Sequence, residues 1–154
     1  MSKRAMRRKP AVEIGDIYAV PLDPLARRYG YVRMYHEPSV AIMGVISEMR
    51  LLDLEEVAEY PIIMEVSASR TAIDKGIWPK IGNLPFGSDE GAWPKPHKQV
   101  SRIRPDVRFV IYRGDIISEA EFGAYDDLPV WKRLSDEGLV NEINSHPELF
   151  AIFS

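Results

Sequence analysis

The sequence predicts a mostly β domain, built as a strongly bent antiparallel sheet or a small barrel. Short runs of β-branched and aromatic residues recur along the chain, and residues 17–20 form the first of them. Glycine, proline and aspartate separate these runs, as at the turn-type dipeptide Gly15-Asp16. Helical patterns are few, so we expect only a short helix after Asp53 and a helical segment near the C-terminus.

Length and composition restrict the class of protein. A chain of 154 residues is long enough for one domain with a sizeable core, and 28% charged with 45% hydrophobic residues is ordinary for a globular protein. The absence of cysteine excludes disulfides, thiol nucleophiles and thiolate metal sites. No apolar run reaches the roughly 18 residues of a membrane span, and no hydrophobic segment follows the basic N-terminus as in a secretory signal. These features predict a cytoplasmic protein.

Charge is distributed unevenly along the chain. The first ten residues carry five basic side chains, whereas the rest of the chain has 15 basic and 23 acidic residues. We predict a disordered basic tail over residues 1–11 and a single β-rich domain over residues 12–154. The acidic body argues against general binding of nucleic acid, because phosphate binding requires a basic face.

The first two strands are predicted over residues 14–22 and 29–35. The first has little or no solvated face, and Pro21 marks its end or a sheet edge because proline cannot donate to a ladder. In the second strand, Gly30 indicates a bulge or a close approach of another backbone. Alternation places four side chains of this strand on one face. They are Tyr29, Tyr31, Arg33 and Tyr35.

Similar patterns predict the remaining elements. Asp53 and Glu56 have the spacing of a capping box, which begins a short helix with Leu54, Val57 and Ala58 toward the core. A second helix is predicted over residues 135–144, since its apolar residues share one face and a proline follows. Further strands are expected over residues 40–46, 62–66, 77–82 and 107–113.

Two blocks of opposite charge follow each other in the second half of the chain. Residues 95–113 contain six basic residues and one acidic residue, and residues 115–148 contain nine acidic and two basic residues. Two interpretations stay open. The blocks lie near each other and compensate, or the acidic block forms a docking face for a basic partner, which would steer association and favour specificity.

Motifs for catalysis or metal binding are not found. The three histidines, His36, His97 and His146, have no metal-ligand spacing. The sequence has no phosphate-binding glycine loop and no nucleophile elbow. We therefore expect no metal, no cofactor and no catalytic residues.

Three segments of the chain resemble the immunity protein 26 family of bacterial polymorphic toxin systems. The first is Gly15-Asp16-Ile17-Tyr18-Ala19-Val20-Pro21-Leu22, and the second is Tyr29-Gly30-Tyr31-Val32-Arg33. The third is Trp78-Pro79-Lys80-Ile81-Gly82, followed by Leu84-Pro85. The similarity covers roughly residues 13–112, with the motifs in the same order and at similar spacing.

The resemblance implies a mostly β fold and a cytoplasmic, non-enzymatic protein that binds and blocks a toxin domain. A toxin that is a nuclease would have a basic active face, and an acidic surface would mimic its phosphate ligand. The expected partner-binding residues are Glu55, Glu56, Glu59, Asp126, Asp127, Asp136 and Glu137. The residues expected to be structural are Gly15, Asp16, Pro21, Gly30, Arg33, Trp78, Ile81 and Gly82.

Two other functions stay open. The opening Gly15-Asp16-Ile17 with Leu22-Asp23-Pro24 is also similar to the MazF/PemK toxins, SH3-like barrels that cleave RNA. That resemblance implies Arg33 or Arg108 near a scissile phosphate and a histidine as acid, but the chain lacks the Arg-Pro-x-x-Val second strand of those enzymes. The other possibility is a sheet face that binds a small ligand or peptide through Tyr29, Tyr31 and Tyr35.

Overall fold

The computed structural model describes residues 11–100, 103–104, 106, 108–118 and 125–154. Within these ranges the chain is mostly β with few helices, which confirms the predicted fold class. Ten of the eleven residues assigned to the basic tail lie outside the described residues.

Eleven strands and three helices form in the described part of the chain. The strands are β1 Asp16–Pro21, β2 Arg28–Met34, β3 Ser39–Met43, β4 Val45–Glu48, β5 Ile62–Ala68, β6 Lys80–Asn83, β7 His97–Val100, β8 Arg108–Tyr112, β9 Asp115–Ser118, β10 Arg133–Leu134 and β11 Ala151–Phe153. The helices are α1 Leu54–Ala58, α2 Thr71–Asp74 and α3 Asp136–Asn144. Three-residue 3-10 turns occur at Glu90–Ala92, Tyr125–Asp127 and Pro147–Leu149.

The strands form two sheets. The larger has the order β10-β5-β3-β2-β1-β6, and β4 joins it by pairing with β2 and β11. Its pairs are antiparallel except β10 with β5 and β11 with β4, so the sheet is mixed rather than wholly antiparallel. Over the described residues this order ends at β10 and β6, which gives a bent open sheet and not a closed barrel. The smaller sheet, β7-β8-β9, is antiparallel.

The central strands are buried on both faces. Along β1, Ile17 and Ala19 pack into one apolar cluster, which α1 covers with Val57. The alternate residues Tyr18 and Val20 pack into a second cluster, which α3 covers with Leu139 and Ile143. Because successive side chains of a strand point to opposite faces, α1 and α3 lie on opposite sides of the sheet. The apolar run of the opening strand predicted this double burial.

The predicted third strand is interrupted at Gly44. The chain bends there, so β3 pairs with β5 while β4 turns to pair with β11. The Gly44 amide donates to the carbonyl of Pro61, and its carbonyl accepts from Ala151. A side chain at this position would lie 2.9 Å from Ile63 and 3.2 Å from the Pro61 oxygen. A continuous strand over residues 40–46 is therefore wrong, because the bend requires a residue without Cβ.

The two predicted helices form. Asp53 caps α1 by accepting from the Glu56 amide at 2.9 Å, and the Glu56 carboxylate accepts from the Asp53 amide at 3.1 Å. Val57 is buried as expected and Leu54 is partly buried, but Ala58 is exposed. In α3, which Ser135 caps, the buried residues are Leu139 and Ile143.

The strand predicted over residues 77–82 begins only at Lys80. Helix α2, which the sequence analysis did not predict, precedes it, and the amides of Ile77 and Trp78 donate to the carbonyl of Ala72 at its start. These bonds hold residues 77–79 against α2. Trp78 is nevertheless buried in the cluster beneath α3, as a structural residue.

Gly30 lies in a regular stretch of the β1–β2 pairing, opposite Val20, so the expected bulge does not occur. A side chain approaches closely in place of the expected backbone, since a Cβ at Gly30 would lie 2.9 Å from the end of the Ile143 side chain in α3. Gly30 therefore lets α3 pack directly on the sheet.

A side chain at Gly15 would destabilise the fold in two ways, through its contact with Leu84 and through the positive φ of the backbone. Comparison with Gly76 separates the two contributions to the free energy of unfolding. Gly15 and Gly76 both have positive φ, +92° and +73°, but a Cβ at Gly15 would lie 2.8 Å from the Leu84 oxygen and one at Gly76 meets no atom within 4 Å. We expect Gly76→Ala to lower the free energy of unfolding by about 1 kcal/mol and Gly15→Ala by about 3 kcal/mol. Urea unfolding measures both, and equal losses would show that the contact with Leu84 is unimportant.

Candidate functional site

The three sequence motifs meet at one corner of the large sheet. The Gly15-Asp16 turn begins β1, and β6 pairs with β1 by placing Gly82 opposite Ile17. The backbone of Gly15 donates to Met34 and accepts from Leu84, both at 2.8 Å. Segments almost 70 residues apart in sequence are thus in direct contact, which explains why the motifs occur together.

Asp16 is a buried carboxylate at this corner. It accepts hydrogen bonds from the Glu13 amide at 2.9 Å and from Asn83 at 3.0 Å, and it forms an ion pair with Lys80 at 3.1 Å. Burial by itself raises the pKa of Asp16, but the bonds from Asn83, Glu13 and Lys80 outweigh it and hold the pKa below its usual value. Burial, together with this carboxylate, raises the pKa of Tyr18 to about 12.

Arg33 clamps the chain that follows β6. Its guanidinium donates to the carbonyls of Leu84 at 2.8 Å and Pro85 at 2.7 Å, and it lies 3.7 Å above the centre of the Phe86 ring. Phe86 also stacks on Tyr35, with the ring centres 5.1 Å apart. Burial lowers the pKa of Arg33 from its ordinary value. These contacts fit the structural role predicted for Arg33, because they direct its donors at backbone carbonyls.

A groove of about 750 Å³ lies on the other side of Tyr35. The first part of β5, Ile62 to Val66, lines it, and so do Pro129, Val130 and Leu149. The Tyr35 hydroxyl donates to the Glu65 carboxylate at 2.5 Å, and the Lys95 amide donates to the same carboxylate at 3.1 Å. The sequence does not predict this groove, because the groove depends on which distant strands pair.

Comparison with known proteins identifies the family. The family model described as "Immunity protein 26" matches residues 13–102, more than half of the chain. The chain belongs to the immunity protein 26 family. No curated protein and no solved structure matches it.

In this family member, the matched segment contains all three motifs and the corner that they build. Pro21 closes β1 opposite Tyr29, and Ile81 packs against the cluster beneath α1. The groove is formed partly by residues beyond the match, since Pro129, Val130 and Leu149 follow residue 102.

The acidic residues expected to bind a partner do not form one surface. Glu55 and Glu59 are exposed on α1, where Glu56 is held by the capping box and by an ion pair with Arg50 at 2.7 Å. Asp136 and Glu137 lie in the first turn of α3, on the opposite side of the sheet. The acidic groups on α1 and α3 are therefore separated by the sheet.

The remaining pair lies beside the smaller sheet. Asp126 and Asp127 belong to a 3-10 turn, and Asp126 forms an ion pair with Arg108 at 2.5 Å. Lys98 donates to the Asp126 carbonyl at 3.2 Å. The basic and acidic blocks of the sequence thus meet at this turn, which agrees with the interpretation that they compensate. Asp127 is exposed beside this ion pair.

Of the three tyrosines proposed as a binding face, two are buried and Tyr29 is partly buried. Tyr31 is fully buried and donates to Ser47 at 2.6 Å, while its oxygen accepts from the Leu52 amide at 2.9 Å. Tyr29 packs against the same cluster, and Tyr35 is only 3% exposed. A ligand face made of these three rings is therefore wrong, because the strand is covered on both sides.

Among the described residues, no three histidine, aspartate or glutamate side chains are arranged to hold a metal ion. No described helix has the length and apolar character needed to cross a bilayer.

The ionised Asp16 should contribute to stability in a pH-dependent way. Because the folded pKa is depressed, its contribution is present above the unfolded value of about 3.9 and is lost as the pH falls through the folded pKa. We expect Asp16→Asn to lower the free energy of unfolding by about 2 kcal/mol at pH 7, and by less as the pH falls below 4. Urea unfolding across this range measures the effect, with exposed Asp127→Asn as the control. If the loss of unfolding free energy in Asp16→Asn did not depend on pH, the negative charge of Asp16 would not be what stabilises the fold.

Proposed function

We propose that this protein binds and inhibits a cognate toxin domain in the bacterial cytoplasm, without catalysing a reaction. Membership of the immunity protein 26 family is the observation that carries the proposal. Inhibition by binding requires a rigid scaffold with a complementary surface, and it requires no reactive group.

The fold supplies such a scaffold. The central strands are packed on both faces, and the ends of β1 and β6 are fixed by Gly15, Asp16 and Arg33. The backbone that carries the surface side chains is held in position before a partner arrives, which reduces the entropy lost on binding.

A toxin that cleaves nucleic acid would present a basic face, and the exposed carboxylates of this protein would replace the phosphates. Glu55 lies in the first turn of α1 and Glu59 is its C-cap, and the last turn of this helix has no basic residue. Asp127 stands beside the paired Asp126. Since the acidic groups face different directions, we propose that one of them forms the centre of the acidic contact.

The proposal is tested first by affinity capture from the native cytosol at low salt. We expect mass spectrometry to identify a protein with a C-terminal toxin domain, and purified toxin activity to be abolished by equimolar immunity protein. Capture of RNA or of no protein would overturn the proposal. An RNA-cleavage assay on wild type and Arg33→Ala would then test the ribonuclease alternative.

Charge reversal at each acidic group locates the contact. Three double variants are compared: Glu55→Lys with Glu59→Lys, Asp126→Lys with Asp127→Lys, and Asp136→Lys with Glu137→Lys. We expect one of them to slow association with the toxin domain about tenfold at low salt, because steering by charge acts mainly on the association rate.

The other two variants serve as matched controls for that measurement, since each changes the net charge by the same amount. Stopped-flow kinetics at two salt concentrations gives the association rates. Equal association rates for all three variants and wild type would exclude an acidic contact.

A further inference from the structure

The outer edge of β5 is left without a partner strand along most of its length. On that edge β10 pairs only with Ser67 and Ala68, at the end of the seven-residue strand. The Ser67 amide donates outward, to the carbonyl of Lys132. Because backbone groups of a strand alternate in direction, the amide and carbonyl of Glu65 point the same way. In the described part of the chain, no strand meets them.

The neighbouring chain diverges from β5 at this point. Before it reaches β10, it pairs with the smaller sheet instead, where the Lys98 amide donates to Pro129 and the Trp131 amide donates to Lys98. The groove of about 750 Å³ opens between β5 and this diverging segment. The outward amide and carbonyl of Glu65 therefore face the groove. They lie on the same edge of β5 that β10 occupies at Ser67 and Ala68.

The walls of the groove indicate what enters it. Ile62, Val130 and Leu149 line it, and each is more than a third exposed. Lys132 is paired with Glu142, but Lys95, also on the groove, has no carboxylate within ion-pair distance among the described residues. An extended segment could form hydrogen bonds with the backbone groups of this edge. Its apolar side chains would pack on the lining residues, and an acidic side chain would pair with Lys95.

We infer that an extended segment of the toxin enters this groove and adds a strand to the outer edge of β5. The inference rests on the proposed function, and it names where and how the toxin is held. Main-chain hydrogen bonds to Glu65 continue the line begun by β10, and the groove walls select the side chains.

The outward amide of Glu65 can be tested by a matched pair of variants. Glu65→Ala removes the side-chain bonds to Tyr35 and Lys95 but keeps the amide, whereas Glu65→Pro also removes the outward donor. The ladder with β3 uses the neighbouring residues Met64 and Val66, so proline leaves it in place. We expect Glu65→Pro to bind the captured toxin domain about fivefold more weakly than Glu65→Ala. Equal affinities would overturn the inference.

A second pair tests the groove wall without touching β5. Val130→Arg fills the groove. Val100→Arg makes the same change at a position that does not line the groove, and the two side chains are similarly exposed, 44% for Val130 and 52% for Val100. We expect Val130→Arg to weaken binding of the toxin domain about tenfold and Val100→Arg to leave it unchanged. Thermal unfolding confirms that both variants are folded.

A probe that needs no toxin separates failure of this inference from failure of the proposed function. Short random peptides displayed on phage are selected against the full chain, and bound peptides are mapped by amide hydrogen exchange. Protection of the Glu65 amide by extended peptides supports the inference even if capture finds no toxin. Peptides that bind elsewhere, or none at all, would overturn it. So would a dimer of the free protein that Val130→Arg dissociates, since a second copy would then occupy the edge.

Discussion

The contact between Gly15 and the backbone of Leu84 is the constraint on which the arrangement of this protein depends. It fixes β6 along β1 and places the carbonyls of Leu84 and Pro85 where Arg33 can reach them. Only glycine allows this approach, because its positive φ and missing side chain meet two requirements at one position. Backbone hydrogen bonds of Gly15 therefore hold this corner together, and Asp16 and Arg33 add side-chain bonds to it.

The same corner is connected to the groove by a short series of contacts. Arg33 lies on Phe86, Phe86 stacks on Tyr35, and Tyr35 donates to Glu65 on β5. Each contact is short, and Tyr35 is almost fully buried. Arg33 of the second motif is thus linked through Phe86 and Tyr35 to Glu65, which lines the groove.

Elements that depend on local sequence were predictable. The capping box at Asp53 and the apolar face of α3 are determined within one helix, and both helices form where expected. The bend at Gly44 was missed because the residues on both sides of it favour a strand, and the bend depends on contacts with Pro61 and Ala151. Pairing between distant segments leaves no trace in a local pattern.

The candidate site was less predictable than the fold for the same reason. A count of charges identified the acidic groups but did not show that α1 and α3 lie on opposite sides of the sheet or that Asp126 is already paired. The tyrosines of β2 alternate as an exposed face would, yet a second layer covers them. The groove is lined by segments that are distant in sequence, and β10 pairs with only the last two residues of β5.

An exposed strand edge is a hazard in a soluble protein, since it can pair with other chains and cause aggregation. Here the first part of β5 lines a groove together with Val130 and Leu149, and the Glu65 side chain is bonded to Tyr35 and to the Lys95 amide. A single extended segment that enters the groove would pair with this edge and contact the side chains that line it. The walls that protect the edge from unselective pairing are thus the same walls that would select a toxin segment by its side chains.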